Sequence, residues 1–189
     1  GPGGELILPI ADGRWLLWQA GQLRLWRTIG EAWRRQLGDP AARAADAQLV
    51  LDGRLFVLVQ QRGSRTEHVD SLEVRLAVAQ VSDGAQNTQL RLPGVTQVMI
   101  AARRGIALAR AGERLSVIDL RFGRLIRELV LPEGAGELAV DEGMQRLAIA
   151  TAEGIEIVRP DALAAAGHGG APRRAPAVAE VAEVAEIAE

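Results

Sequence analysis

The sequence predicts an all-β fold built from about four short-stranded units, and three observations carry that expectation. A Gly-terminated turn recurs at Ala11-Asp12-Gly13, Leu51-Asp52-Gly53, Arg103-Arg104-Gly105 and Asp141-Glu142-Gly143. The closing glycines stand at 13, 53, 105 and 143, so the spacings are 40, 52 and 38 residues. Each turn leads into apolar residues that alternate with polar ones, the period-two pattern of a half-buried strand. A repeat of about 40 residues holding several short strands has the length of a propeller blade. The expected fold is therefore a propeller-like array with a short helical insertion and a C-terminal tail. Propellers close with about four to eight blades, so four units make either a small closed ring or half of a larger one.

Taken in order, residues 1–4 are set aside, because Gly1-Pro2 reads as the scar of a cleaved affinity tag. The repeat domain is expected over 5–160. Its first unit contains Glu5 to Ile10, Arg14 to Trp18 and Gln22 to Trp26, with Asp12-Gly13 and Ala20-Gly21 supplying tight turns. Residues 29–47 carry Ala, Arg and Gln at helical density, broken by Gly38-Asp39-Pro40, and predict two short helical pieces inserted into the blade. The second unit has Gln48 to Leu51, Arg54 to Gln60, a long alternating run from Ser71 to Val81, and Leu90 to Leu92.

The third unit is the most regular, with runs at Gln97 to Ala101, Ile106 to Ala109, Leu115 to Asp119 and Leu125 to Leu131. Four runs with Gly-bearing turns are what one four-stranded blade needs. The fourth unit has three runs, Glu137 to Val140, Arg146 to Ala150 and Ile155 to Val158, before Pro160 ends it. An N-terminal segment could supply its missing strand. Residues 161–177, rich in Ala, Gly, Pro and Arg, form a linker, and 178–189 form a tail of four Val/Ile-Ala-Glu triplets.

Composition narrows the function. With 48% hydrophobic and 24% charged residues the chain is ordinary for a globular protein. A formal charge of −2 leaves no overall electrostatic footprint for a polyanion. There is no Cys, hence no disulfide framework, no thiolate metal site and no Cys nucleophile. Apolar runs are far shorter than a membrane span. Nothing points to secretion, and a cytoplasmic location is expected.

Leu115-Ser116-Val117-Ile118-Asp119-Leu120 resembles the close of the third strand in WD-type propeller repeats, with Ile118 in place of the Trp and Asp119 matching the Asp. In the first unit Trp26 matches the Trp and Arg27 replaces the Asp; Val158-Arg159 in the fourth matches neither. The Ala-Asp-Gly and Leu-Asp-Gly turns look like the turn between the first two strands of such blades. The resemblance implies a propeller over roughly 5–160, and members of that class mostly bind proteins, though some are enzymes. In general appearance the chain also resembles the β-propeller component of bacterial MoxR-ATPase and von Willebrand-A ternary systems.

The candidate contact residues are Trp33, Arg34 and Arg35 on the insertion and Val178, Val181, Val184 and Ile187 on the tail. Trp15 and Trp18 lie three apart and so face opposite sides of one strand; with Trp26 they are expected chiefly as core between blades. Trp33, beside two arginines, is expected as an exposed anchor, since Trp and Arg are enriched at binding hot spots. A three-residue period spreads its Val and Ile positions over about half of a helix's circumference, so the tail reads either as a short element that folds on a partner or as a solubilising disordered tail.

His68 lies with Glu67 and Asp70 in a polar loop, without the convergent partners that a metal or acid–base site needs. Ser64 and Ser71 lack a nucleophile elbow, and Gly134-Ala135-Gly136 lacks the Lys and helix of a phosphate loop. No catalytic residue, metal or cofactor is expected. The leading expectation is a non-catalytic protein–protein interaction scaffold of a bacterial assembly, whose partner is another protein or a second copy. The alternatives are a propeller enzyme with a central-channel site and weak nucleic-acid binding through the Arg pairs 34/35, 103/104 and 173/174.

Overall fold

The computed structural model describes residues 5–10, 13–66, 69–163 and 165. Their backbone forms four antiparallel sheets laid down one after another along the chain. The first contains β1 (Leu6–Ile10), β2 (Arg14–Gln19), β3 (Gln22–Arg27) and β4 (Gly30–Gln36) in that order. The second contains β5 (Arg43–Val50), β6 (Leu55–Thr66), β7 (Val69–Gln80) and β8 (Gln86–Pro93). The third contains β9 (Gln97–Ala101), β10 (Ile106–Ala111), β11 (Arg114–Asp119) and β12 (Arg124–Val130). The fourth has three strands, β13 (Leu138–Val140), β14 (Leu147–Thr151) and β15 (Gly154–Val158). Consecutive strands pair with their sequence neighbours in every sheet, as in the blades of a propeller.

Two expectations are corrected. Residues 29–47 hold no helical insertion: they are the rim strand β4, a tight connection, and the first strand of the next sheet, β5. Helix propensity is a weak prior, and here backbone pairing with β3 and β6 overrides it. Leu37, which follows β4, is fully buried, and its carbonyl accepts the indole N–H of Trp18 at 3.0 Å. Nor does Leu6–Ile10 complete the fourth sheet, because β1 pairs with β2 in register Leu6 to Trp18 and Ile10 to Arg14.

The first strands of successive sheets adjoin, β1 with β5 and β9 with β13, so they lie toward the axis of the array and β4, β8 and β12 lie at its rim. Three apolar cores fill the spaces between sheets. Leu16, Trp18, Leu23 and Leu25 of the first sheet meet Phe56, Leu58, Ala77 and Ala79 of the second. Val57, Val59, Leu76 and Val78 on the second sheet's other face meet Ile100, Ala107, Ala109 and Ile118 of the third. Leu108, Leu115, Val117 and Leu129 then meet Leu138, Leu147 and Ile149 of the fourth. Full burial of one such side chain is worth about 1.5–3 kcal/mol, so these junctions hold the sheets together. Among the described residues no core joins the fourth sheet back to the first. The array is open.

Polar pins reinforce the packing. Gln60, fully buried, accepts from the Asp39 N–H at 2.8 Å and donates to the Asp39 carbonyl at 2.8 Å, anchoring the β4–β5 connection to the second sheet. Arg75 bridges Asp39 at 2.8 Å and Glu73 at 2.9 Å. Gly38, at φ +78°, lets the chain pass the amide of Gln60, where an added Cβ would stand 2.2 Å from Oε1. Between the third and fourth sheets, Arg110 donates to the carbonyls of Gly136 and Ala135.

Candidate interaction surfaces

The Gly turns of the second, third and fourth sheets gather on one side of the array. The N–H of Leu51 donates to the Ala102 carbonyl at 2.9 Å, and the N–H of Arg103 donates to the Glu142 carbonyl at 3.0 Å. The turns of the second, third and fourth sheets are thereby tied in series. Arg103 and Glu142 also pair through exposed side chains at 3.0 Å. The hollow beside them, lined by Leu51, Asp52, Gly53 and Arg103 among others, holds about 180 Å³. A second, at Asp46, Val59, Gln61 and Gln97, holds about 220 Å³. Small-molecule sites span roughly 300–1,000 Å³ and converge on a few polar groups, and neither hollow reaches that size.

Among the described residues no group of three His, Cys, Asp or Glu side chains is arranged to hold a metal. Glu67, His68 and His168 lie outside the described residues. The perturbed carboxylates serve structure. A hydrogen bond from Arg75 holds Glu73 below the usual carboxylate range, and one from Arg121 does the same for Asp119. Asp141 is held down by the N–H groups of Arg146 and Gln145, which close the fourth Gly turn at 2.8 and 2.6 Å.

The predicted contact residues separate. Trp33 on β4 is half-buried and packs against the core between the first two sheets, and its ring lies where a Cβ on Gly84 would stand 2.7 Å away. It is thus a packing residue of the first junction, not a free anchor. Its indole N–H is buried without a partner. Arg34 is exposed and forks onto Glu31 at 3.0 and 3.1 Å, while Arg35 is exposed and donates to the Arg34 carbonyl. Val178, Val181, Val184 and Ile187, like Arg173 and Arg174, lie outside the described residues. The remaining Arg pairs stand apart, one on β4 and the other on the β9–β10 turn two sheets away.

What the sequence reading missed are the two ends of the array. Residues paired across strands share a face. On the free face of the first sheet, Ile7, Leu17, Arg24 and Arg34 form one row and Pro9, Trp15, Trp26 and Glu31 the next. Ile7, Trp15 and Trp26 are exposed there, Trp15 to 49%. On the free face of the fourth sheet, Ala139, Ala148 and Ile157 form one row and Ala150 pairs with Ile155. Ile155 is 76% and Ile157 65% exposed. The signal was present in Arg14-Trp15-Leu16-Leu17-Trp18, a strand apolar on both sides, which is the mark of a strand covered on both faces. Only Trp18 of the three predicted core tryptophans is fully buried, because Trp15 and Trp26 face outward from the array's end. A smaller apolar stretch follows the third sheet's rim, where Phe122 lies under Arg121 and Arg124 beside exposed Leu125 and Ile126.

Comparison with known proteins gives a likeness of fold. No family model and no curated protein matches the chain. Among solved structures it is similar to the β-propeller domain of Myceliophteria thermophila Cps50 (Swd1), at 15% identity and a TM-score of 0.52, covering 82% of this chain and 53% of that one. It is similar to a chain from the mitotic checkpoint complex, at 12% identity and 0.51, covering 82% and 45%. It is similar also to a eukaryotic initiation factor structure, at 12% identity and 0.56, covering 85% and 41%. The likeness is one of fold, that of a β-propeller. The chain spans about half the length of the solved structures it matches.

Proposed function

We propose that this chain is a non-catalytic protein–protein interaction scaffold. The observation that carries the reading is the set of exposed large apolar side chains on sheet faces, Ile7, Trp15 and Trp26 on the first sheet and Ile155 and Ile157 on the fourth, none of which lines either hollow. Contiguous apolar surface of this kind marks protein contact sites. The similarity to a chain of a multi-protein checkpoint complex agrees with such a role. The proposed partner is a protein of a larger bacterial assembly, for which the MoxR-ATPase and von Willebrand-A systems are the model, and the proposed compartment is the cytoplasm.

Contact is assigned to the exposed guanidinium groups of Arg34 and Arg35 on β4 and to the Val, Ala and Glu triplets of 178–189, with Trp33 supporting β4 from beneath. Rim arginines set orientation and on-rate, while apolar groups supply affinity. The test is capture of partners by the immobilised chain, compared with Arg34→Glu/Arg35→Glu and with a chain lacking 171–189. Loss of the same partner in both variants is expected. A partner retained by both would overturn the assignment of the surface, and absence of any specific partner would overturn the scaffold reading.

A further inference from the structure

We infer that segment 178–189 of this chain docks on the free edge of β12, its glutamates meeting the arginines that follow Asp119. The inference goes beyond the scaffold reading and does not rest on it: it gives the place of the triplets when no partner holds them.

β12 is unlike the other rim strands. Among the described residues β4 and β8 carry no exposed large apolar side chain, whereas Leu125, Ile126 and Val130 stand exposed on β12 and Phe122, 61% exposed, stands on the turn before it. An edge strand of this kind offers unpaired backbone groups beside apolar side chains and is a template for one more strand. Arginine recurs at every third position of Arg121-Phe122-Gly123-Arg124-Leu125-Ile126-Arg127, with no acid among them. Arg121 pairs with Asp119 at 2.6 Å. Among the described residues Arg124 and Arg127 meet no carboxylate within salt-bridge distance, and Arg124 lies over the Phe122 ring at 5.3 Å.

Segment 178–189 has the complementary pattern. Its glutamates recur at the same interval, at 180, 183, 186 and 189, with Val-Ala or Ile-Ala between them and no basic residue. Two chains that share a period of three keep their pairs in step. An antiparallel alignment that sets Glu180 opposite Arg127 also sets Glu183 opposite Arg124 and brings Glu186 to Arg121, while Val181 falls beside Ile126. Opposite charges and apolar pairs across strands are both stabilising.

The described chain leads to this edge. Leu163 packs against the core of the third and fourth sheets, and Ala165 forms an antiparallel bridge with Leu129 of β12. The edge therefore already takes a partner from this chain, three residues from Ile126. Residues 166–177 can span up to about 40 Å when extended, whereas the step from Leu129 to Ile126 is about 10 Å. A short tether holds the segment at about millimolar effective concentration, which favours it over a foreign acidic peptide or a second copy.

Hydrogen exchange on the full chain, read by mass spectrometry, tests this. Residues 124–128 are expected to exchange about tenfold more slowly in the unaltered chain than in Glu180→Gln/Glu183→Gln/Glu186→Gln, with β9 to β11 unchanged as the control for folding. Arg124→Glu/Arg127→Glu is expected to remove the same protection, and adding Glu180→Arg/Glu183→Arg to restore it. Equal exchange in the unaltered and glutamine chains overturns the inference, and so does a charge swap that restores nothing. Protection that grows with protein concentration places another copy's segment on β12 and overturns the assignment to the same chain. The readout is taken on the free chain, so it holds or fails separately from partner capture.

Discussion

Single backbone positions carry measurable strain here. The β2–β3 hairpin turns through Ala20 and Gly21 at φ 48° and 79°, two left-handed residues that match the twist of the strands. Gly suits that conformation, whereas a Cβ costs about 1–2 kcal/mol there. Ala20→Gly is therefore expected to raise stability by about 0.5–1 kcal/mol, read as a rise of a few degrees in the calorimetric midpoint. Gly38→Ala has the opposite sign, since its Cβ would displace the Gln60 amide from both of its Asp39 contacts. A loss of about 3 kcal/mol is expected, from left-handed strain and two broken buried hydrogen bonds.

The carboxylates give a pH prediction at the same scale. Glu73, Asp119 and Asp141 are held below their usual range by hydrogen bonds from Arg75, from Arg121, and from the Arg146 and Gln145 backbone respectively. Groups with depressed folded-state values stabilise fully above the ordinary carboxylate range, near pH 4, and lose that contribution as pH falls through it. Denaturant midpoints should thus be flat near pH 7 and fall below about pH 4. Asp141→Ala should destabilise the protein at pH 7 and narrow its gap to the unaltered chain at pH 3. Gly13, Gly53 and Gly105 were legible in the sequence because a left-handed turn leaves few alternatives, whereas in the fourth turn Met144, at φ 55°, takes that conformation in place of Gly143. The Asp39–Gln60–Arg75 pins were not, since nothing local to Gln60 announces a partner 21 residues away.

Among the elements, the strands following each Gly turn were readable because their alternation reports burial on one face. The rim strand β4 and the inner strand β5 were misread, and the reason is physical. Gly30–Gln36 is exposed along much of its length and has little apolar periodicity, so only its pairing with β3 makes it a strand. In β5 the small residues Ala44 and Ala47 pack against the first sheet, and alanine there mimics helix propensity. The connection between them is held by Gln60. Gln60→Leu would leave the N–H and carbonyl of Asp39 without their Gln60 partners, at a cost of about 1–2 kcal/mol for two half-buried groups. The measurable signature is early hydrogen exchange in residues 37–50, preceding that of β6 and β7.

For the whole molecule, the 40-residue period disclosed the number of sheets and their order. It could not disclose whether the ring closes, because closure depends on faces that the pattern of any one strand leaves undefined until its neighbours are placed.

Above all, the chain is read as a protein-interaction scaffold, and capture by the immobilised chain tests that reading most directly. The expected result is a specific protein partner that is lost when Arg34→Glu and Arg35→Glu are introduced together. Recovery of no specific partner would contradict it.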